Sequence, residues 1–291
     1  MPKEVDSLQP HTMLDRFELI KVLGGGGFSV VYLAKDTKTN DEVVIKEFFP
    51  AKLAKRAENK HIIPKDDDKC AKLFNMGRKL FFQEASILAN FNHPNIVNIV
   101  GFFSANGTIY TAMGYEKGDS LYQYIKKTKG KMPEDQLMKI FLPVLSSLRE
   151  VHQLGLLHLD IKPGNIFIRE DLQPILLDFG AAHKLVRLAE PRTFPVVSHG
   201  FSPPEQSLKT GNLGPWTDVY AIGATMRTCI TGKPPPAAKD RRRDPEMMKP
   251  ATEEFKDGYS EKLLKAIDWA MEMVPTKRPQ TVDEFAAALR R

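Results

Sequence analysis

The eight residues 158–165, H-L-D-I-K-P-G-N, constrain this chain more than any other stretch. They follow an amphipathic helical pattern and precede the short apolar run at 166–168, so Asp160, Lys162 and Asn165 lie in one loop. An Asp can accept a hydroxyl proton, a Lys can stabilise charge on a phosphate, and an Asn oxygen can bind Mg²⁺. These are groups that phosphoryl transfer uses. Because Asp, Gly, Pro and Asn also favour turns, an ordinary polar turn is the alternative interpretation.

Four consecutive glycines, residues 24–27, lie between two segments that the pattern predicts as strands, 17–23 and 30–34. Glycines at the tip of such a hairpin allow backbone N–H groups to approach a triphosphate closely. A flexible turn has the same composition, and no G-K-[ST] follows, so the loop is not a P-loop. A third predicted strand, 41–46, ends at Lys46. Its position after the glycine hairpin favours phosphate binding over a merely solvated strand end.

A helical pattern runs from about residue 70 to residue 90, with Phe74, Phe81, Ala85 and Leu88 on one apolar face. Glu84 lies in this helix and is the predicted partner of Lys46, with a surface carboxylate as the alternative. The segment 47–68 before the helix is basic and is predicted to be irregular.

Asp178 follows the predicted strand 175–177 and opens the triplet D-F-G, 18 residues after Asp160 across one short hairpin. Asp178 and Asn165 are therefore expected to present oxygen atoms near one point. Oxygen ligands, together with phosphate oxygens and water, suit Mg²⁺.

Composition restricts the class of protein. With 291 residues, 42% hydrophobic and 27% charged, the chain is predicted to be soluble and large enough for two lobes. No apolar run is long enough to cross a bilayer and the N-terminus lacks a secretion signal, which predicts a cytoplasmic protein without membrane contact in this chain. Cys70 and Cys229 are predicted to be reduced thiols. The net charge of +6 comes without a nucleic-acid motif, so solvated basic faces are expected rather than nucleic-acid binding.

Taken in order, these motifs resemble those of the protein kinase family, particularly bacterial serine/threonine kinases. The resemblance covers residues 17–289 and rests on H-x-D-x-K-x-x-N, the glycine-rich loop with Ser29 in place of the third Gly, V-I-K ending at Lys46, and D-F-G. Further matches are H-P-N-I-V at 93–97, P-P-E at 203–205, and K-R-P at 277–279. F-F-P just after Lys46, followed by L-A-x-R, is similar to a bacterial group.

The resemblance implies an α+β, bilobal protein-kinase-like fold with a β-rich N-lobe and a mainly helical C-lobe. The expected divisions are an N-terminal extension at 1–16, an N-lobe at 17–113 with an inserted segment at about 47–70, a hinge at 114–119, and a C-lobe at 120–291.

By the same resemblance the protein is expected to be a serine/threonine protein kinase that uses ATP and Mg²⁺ in the cleft of the fold. Asp160 is the expected base, Lys162 stabilises charge, Lys46 and Glu84 align phosphates, and Asn165 and Asp178 bind the metal. The expected nucleotide-binding residues are Leu23, Gly24, Gly25, Gly26, Gly27, Phe28, Val31, Lys46, Met113 as gatekeeper, Gly114 and Glu116.

The resemblance also predicts supporting contacts. Ser198 is expected to bond Asp160 and Lys162, and Asp218 to hold the backbone of the loop. Arg278 is expected to pair with Glu205. His158 is expected to be a packed scaffold residue rather than a base.

Three alternatives remain open at this point: a pseudokinase or scaffold that binds nucleotide, a small-molecule kinase, and a basic binding module without activity. The chain also departs from a common family pattern, because Leu159 precedes the catalytic Asp where many kinases carry Arg. This non-RD loop predicts activity without phosphorylation of the activation segment, where Arg187 and Arg192 could bind a phosphate on Thr193 only locally. Control is expected from the helix of Glu84, the inserted segment or a regulatory protein partner.

Overall fold

The backbone is divided between two units in this computed structural model, which describes residues 7–178, 198–208 and 211–290. Of the described residues, the first unit contains 7–92 and 97–116, and the second contains the others. The change of unit after residue 116 falls within the segment predicted as a hinge. The exact lobe boundaries stay predictions.

The first unit is built on a six-stranded antiparallel sheet with the order β1-β2-β3-β4-β8-β7. Its strands are β1 (Met13–Leu14), β2 (Phe17–Gly25), β3 (Ser29–Asp36), β4 (Glu42–Phe48), β7 (Ile99–Ala105) and β8 (Thr108–Gly114). A separate pair, β5 (Ala54–Arg56) and β6 (Ile62–Pro64), is also antiparallel. The predicted strands are present, and the described part of the predicted N-terminal extension adds β1 to the sheet.

Helix α1 (Asp68–Leu88) packs against this sheet, as its apolar face predicts. Asp67 caps the helix by accepting a hydrogen bond from the backbone N–H of Lys69. On the sheet side, the ring of Phe48 lies 5.9 Å from that of Phe74 and 5.5 Å from that of Phe81. These aromatic contacts fix the helix to the strand that carries Lys46.

The prediction that residues 47–68 are irregular was wrong, because β5 and β6 form a hairpin there. Three-residue strands are too short to show a period of two in the sequence. The hairpin is held by contacts with the rest of the unit. Arg56 donates to the carboxylate of Glu47, at 2.5 Å, and its guanidinium lies over the ring of Phe49.

Glu47 is fully buried and follows Lys46 in β4. Besides Arg56, the hydroxyls of Tyr32 and Tyr110 donate to its two oxygens, at 2.8 and 2.5 Å. Burial and the nearby carboxylate both raise the pKa of each tyrosine, so both remain protonated donors. Since the three donors come from β3, β5 and β8, this one carboxylate joins the inserted hairpin to the sheet.

The described part of the second unit is mainly helical. Its helices are α2 (Leu121–Thr128), α3 (Glu134–Gln153), α4 (Pro215–Thr231), α5 (Ala238–Arg243), α6 (Ala251–Glu254), α7 (Glu261–Ala270) and α8 (Val282–Arg290). A small antiparallel sheet of order β11-β10-β9 joins them, from β9 (Gly118–Ser120), β10 (Ile166–Arg169) and β11 (Pro174–Leu176).

Helix α4 is buried almost all round and packs against α7. At the crossing, a Cβ on Gly223 would lie 2.8 Å from the Cβ of Ala270, so only glycine permits this approach. The segment 233–250 contains the short helix α5. A six-residue helix with three arginines has too little apolar periodicity to be recognised.

No helix in the described ranges is long and apolar enough to cross a membrane.

We expect Arg56→Ala to lower the free energy of unfolding by about 3 kcal/mol, because it leaves a buried carboxylate without its cation. Denaturant unfolding measures this change. The matched control is Lys55→Ala, whose exposed amine meets only the exposed Asp66 and should change stability by less than about 0.5 kcal/mol. Equal effects of the two substitutions would contradict the assigned role of the buried cluster.

Candidate active site

The loop 158–165 connects α3 to β10 and brings Asp160, Lys162 and Asn165 together. Lys162 Nζ lies 2.7 Å from Asp160 Oδ2 and 3.0 Å from Oδ1. Asn165 Nδ2 donates to Oδ2 at 2.8 Å. The side chains of Lys162 and Asn165 therefore both bond the carboxylate of Asp160.

Ser198 contributes from a different part of the chain. Its hydroxyl donates to Asp160 Oδ1 at 2.7 Å, and Lys162 Nζ donates to the same hydroxyl at 3.2 Å. The predicted contact of Ser198 with both residues is confirmed. The side chain of Asp160 is 23% exposed, so its carboxylate is positioned by neighbours and still accessible to a reactant.

The backbone of this loop is fixed by Asp218 of α4, which is fully buried. Its Oδ2 accepts a hydrogen bond from His158 N at 2.9 Å, and its Oδ1 accepts one from Leu159 N at 2.8 Å. Oδ2 also lies 2.8 Å from His152 Nε2. Although burial acts to raise it, these hydrogen bonds hold the pKa of Asp218 below its ordinary value. The predicted role of Asp218 in holding the loop backbone is confirmed.

Leu159 has a positive φ of 61°, which a Leu adopts at a cost of about 1–2 kcal/mol. Its N–H is bonded to Asp218, and its carbonyl accepts a hydrogen bond from Gln206 Nε2 at 2.6 Å. The two buried side chains therefore hold both polar groups of a strained residue next to Asp160.

His158 is a packed residue, as predicted. Its Nε2 lies 3.0 Å from the carbonyl of Leu177, and its Nδ1 lies 3.3 Å from the backbone N of Asp160. Burial lowers the pKa of His158, and the two contacts fit a neutral ring that donates from Nε2 and accepts at Nδ1.

The two residues predicted to bind metal are brought close by the β10–β11 hairpin. Leu177 N donates to the carbonyl of Asn165 at 2.9 Å, so Asp178 is only one residue beyond this contact. Both amide hydrogens of Asn165 are used, on the carbonyl and the carboxylate of Asp160. The side-chain oxygen is then the atom with which Asn165 can bind a cation.

In the described ranges, no cluster of three or more His, Cys, Asp or Glu residues could hold a metal. An Asn oxygen with one carboxylate nevertheless fits Mg²⁺, which is usually held by one or two carboxylates plus phosphates and water. Phe179 and Gly180, the rest of the D-F-G triplet, lie outside the described residues.

The segment after Ser198 is anchored through Glu205. Arg278, whose side chain is completely buried, donates to both oxygens of Glu205, at 2.6 and 3.1 Å. The guanidinium also lies 4.9 Å from the ring centre of Tyr220. This confirms the predicted pair of Arg278 and Glu205, which connects the end of this segment to the helical core.

In the first unit, Lys46 and Glu84 are both half-buried. Lys46 Nζ lies 5.6 Å from the ring centre of Phe81, which precedes Glu84 by three residues in α1. Residues three apart share one side of a helix, so Lys46 points to the side of α1 that carries Glu84. The ion pair itself stays a prediction.

The glycine loop connects β2 to β3, with Gly26 N bonded to the carbonyl of Ser29 at 2.9 Å. An added Cβ at Gly24, Gly26 or Gly27 would meet no atom within 4 Å, and none of the three has a positive φ. Neither packing nor backbone conformation within the described chain requires glycine at these positions. Close approach of a ligand to the backbone is a remaining physical reason for it.

Of the other predicted nucleotide-binding residues, Leu23, Val31, Met113 and Gly114 lie in strands of the same sheet. Phe28 lies in the turn between β2 and β3, and Glu116 follows β8 by two residues. Met113 is buried in β8, and Gly114 N donates to the carbonyl of Asn98 at 3.0 Å. Leu23 is exposed. Phe28, Val31 and Glu116 are half-buried, and Gly25 is exposed.

Comparison with known sequences decides the family. The model described as the protein kinase domain matches residues 17–288. The chain belongs to the protein kinase family. It is 31% identical over 288 residues to serine/threonine-protein kinase D of Synechocystis sp., an alignment that covers 95% of this chain and 52% of that protein. The chain thus spans about half the length of this kinase.

Solved kinase structures confirm the predicted α+β fold with a β-rich N-lobe and a mainly helical C-lobe. PpkA-294 in its apo form has a TM-score of 0.87 and 37% identity, covering 98% of this chain and 99% of that one. Rad53 1-466 in complex with AMP-PNP has a TM-score of 0.70 and 21% identity, covering 93% and 64%. At that identity the second comparison concerns the fold alone.

The roles of two residues that support this loop, Gln206 and His152, were not predicted from the sequence. Gln206 reaches the loop from a segment distant in sequence, whereas His152, at the end of α3, acts through its contact with Asp218. Neither residue type is unusual at its position. The adjacent P-P-E motif marks the segment of Gln206, but no local pattern indicates that its amide bonds Leu159.

Proposed function

We propose that the chain is an ATP- and Mg²⁺-dependent serine/threonine protein kinase that transfers the γ-phosphoryl group to Ser or Thr hydroxyls of protein substrates. The observation that carries this proposal is the Asp160 carboxylate, which is bonded by Lys162, Ser198 and Asn165 and remains partly exposed. The relative from Synechocystis sp. is named as a serine/threonine kinase, which supports the class of acceptor.

In this proposal Asp160 accepts or orients the proton of the acceptor hydroxyl. Its hydrogen bonds from Lys162 and Ser198 fix the direction of the carboxylate, so little reorganisation is needed when the hydroxyl arrives. Lys162 also lies where it can stabilise negative charge on the phosphoryl group in transfer. The side chain of Lys162 is 32% exposed, which leaves part of it accessible.

Asn165 and Asp178 hold Mg²⁺ in this proposal, through one amide oxygen and one carboxylate. Held by these two residues, Mg²⁺ would supply positive charge that offsets the negative charge of the phosphate groups. Asn165 can serve because both of its amide hydrogens point back into the loop.

Residues of the first unit bind ATP in this proposal. The glycine loop, residues 24–27, offers backbone N–H groups without side chains in the way. Lys46 binds phosphate oxygens and is aligned by Glu84, while Leu23, Phe28, Val31, Met113, Gly114 and Glu116 contact the nucleoside. AMP-PNP, an ATP analogue, is present in the structure of Rad53, which supports nucleotide use by this fold.

Two other functions are less well supported. A pseudokinase scaffold is disfavoured because Lys46, Asp160, Asn165 and Asp178 are all present in the chain. A small-molecule kinase is not expected to combine Lys162 with the Glu205–Arg278 pair, which is present here.

We expect Asp160→Asn to abolish transfer of radiolabelled phosphate from ATP to Ser and Thr in proteins, because Asn cannot accept the proton. The substitution preserves the side-chain size, so ATP with Mg²⁺ should still raise the melting temperature through binding. Phosphoamino-acid analysis of the wild-type reaction should give phosphoserine or phosphothreonine.

Wild-type transfer by Asp160→Asn would contradict the role of Asp160. Predominant phosphotyrosine would contradict the proposed acceptor. Lys162→Arg is the companion variant, since it keeps the charge beside Asp160 while changing the geometry of the donors.

We further propose that this non-RD kinase is active without phosphorylation of its activation segment. Leu159 is buried, and its backbone is already held by Asp218 and Gln206, so the loop is ordered by neutral and acidic groups of the chain. A Leu cannot make the charge-assisted hydrogen bonds that an Arg gives to phosphate. Thr193, Arg187 and Arg192 lie outside the described residues. Control by α1, by the β5–β6 hairpin or by a regulatory protein partner is proposed instead.

We expect phosphatase treatment, or Thr193→Ala, to leave the initial rate on an added protein substrate within about twofold of the untreated enzyme. The reason is that no phosphate contact is needed to order the loop. A drop of tenfold or more, about 1.4 kcal/mol of activation free energy, would overturn this part of the proposal.

A further inference from the structure

A groove with a volume of about 380 Å³ lies on the second unit, next to the loop of Asp160. Its lining includes Tyr122 and Lys126 of α2, together with Phe201 and Pro234. Lys162 lines the end of the groove at the catalytic loop. All of these residues belong to the same unit, so the groove is complete within it.

The groove leads directly to the proposed base. Lys162 lines it and lies 2.7 Å from Asp160 Oδ2. Phe201, which also lines the groove, is three residues after Ser198, whose hydroxyl bonds Asp160. Phe201 N in turn donates to the carbonyl of Ser198 at 2.9 Å. A peptide whose hydroxyl reaches Asp160 would therefore continue along this groove.

Lys126 gives the groove its positive charge, since the other lysine that lines it, Lys162, is paired with Asp160. No carboxylate lines the groove among the described residues. Lys126 is exposed and makes no hydrogen bond or ion pair with the described part of the chain, whereas the adjacent Lys127 is paired with Asp119 at 2.6 Å. Lys126 is thus an available cation on the groove side of α2.

The rim adds further positive charge. Gly130 approaches Gly232 so closely that a Cβ on Gly130 would lie 2.5 Å from Gly232 N, and Gly232 lines the groove. The exposed residues Lys129, Lys131 and Lys233 are the chain neighbours of these two glycines. Clustered lysines attract negatively charged side chains more strongly than one lysine does.

The remaining lining is apolar. Tyr122 is 61% exposed, Pro234 is exposed and Phe201 is half-buried, so aromatic and ring carbons face the groove. Such a surface suits an apolar side chain next to a charged one.

We propose that this groove binds the part of a protein substrate that flanks the acceptor Ser or Thr, and that it selects acidic segments carrying Asp or Glu together with an apolar side chain. The inference rests on the proposed function and assigns Lys126 as a specificity-determining residue. Charge complementarity identifies the occupant, because within the described residues the side chain of Lys126 has no partner and no carboxylate lines the groove.

The test uses three synthetic peptides with one Ser acceptor and one apolar neighbour, identical except that the remaining flanking positions are Glu, Gln or Lys. We expect the wild-type kcat/KM to be highest for the Glu peptide and lowest for the Lys peptide, by at least about threefold at each step. Lys126→Gln should lower the ratio of kcat/KM for the Glu peptide to that for the Lys peptide by about threefold. Lys126→Glu should lower this ratio further, because the new carboxylate attracts the Lys peptide. The matched control is Lys127→Gln, which removes the same charge one residue away and should keep the wild-type preference.

Equal rates on the three peptides, including no transfer to any of them, would overturn the inference while autophosphorylation on Ser or Thr still supports the proposed function. An equal loss of preference in Lys127→Gln and Lys126→Gln would also overturn it, because general attraction rather than the groove would then select the substrate. Absence of transfer to every acceptor, the kinase itself included, would overturn both the proposed function and this inference.

Discussion

The buried carboxylate of Asp218 is the constraint on which the catalytic loop depends. It accepts hydrogen bonds from the backbone of His158 and Leu159, and it lies within hydrogen-bonding distance of His152. A charge buried this deeply is stable only when donors surround it. The loop supplies two of those donors, so the buried Asp218 is stable only when the loop adopts this conformation. Asp160 follows directly after the bonded residues and takes its direction from them.

In the first unit a second buried carboxylate, that of Glu47, holds several strands together. Glu47 accepts hydrogen bonds from Tyr32, Tyr110 and Arg56, which come from three strands. Because successive side chains in a strand point to opposite faces, this cluster and Lys46 lie on opposite faces of β4. The cluster therefore fixes the strand that carries Lys46 from the other face, without occupying its side of the sheet. It also attaches the inserted hairpin to the strand that carries Lys46.

Local patterns predicted the main strands, the long helices and the residues that meet at Asp160, because each leaves a period or a short motif in the sequence. The β5–β6 hairpin could not be predicted from the sequence, since three residues are too few for a period and the hairpin is held by the pairing of its own Arg56 with Glu47 of β4. The hydrogen bond from Gln206 to Leu159 could not be predicted from the sequence either, because a side chain that contacts a distant segment leaves no local pattern. The contacts of Ser198 and Asp218 were predicted only through resemblance to the family.

The most direct test of this account is the kcat of Asp218→Asn, measured with ATP and a Ser peptide at a temperature where circular dichroism shows the variant folded. Asn keeps the size of Asp218 but has one accepting oxygen, so the N–H of His158 or Leu159 loses its partner and the loop is released from its fixed conformation. We expect kcat to fall at least tenfold, about 1.4 kcal/mol of activation free energy, with the KM for ATP changed less than threefold. A folded variant with wild-type kcat would contradict the claim that Asp218 positions Asp160.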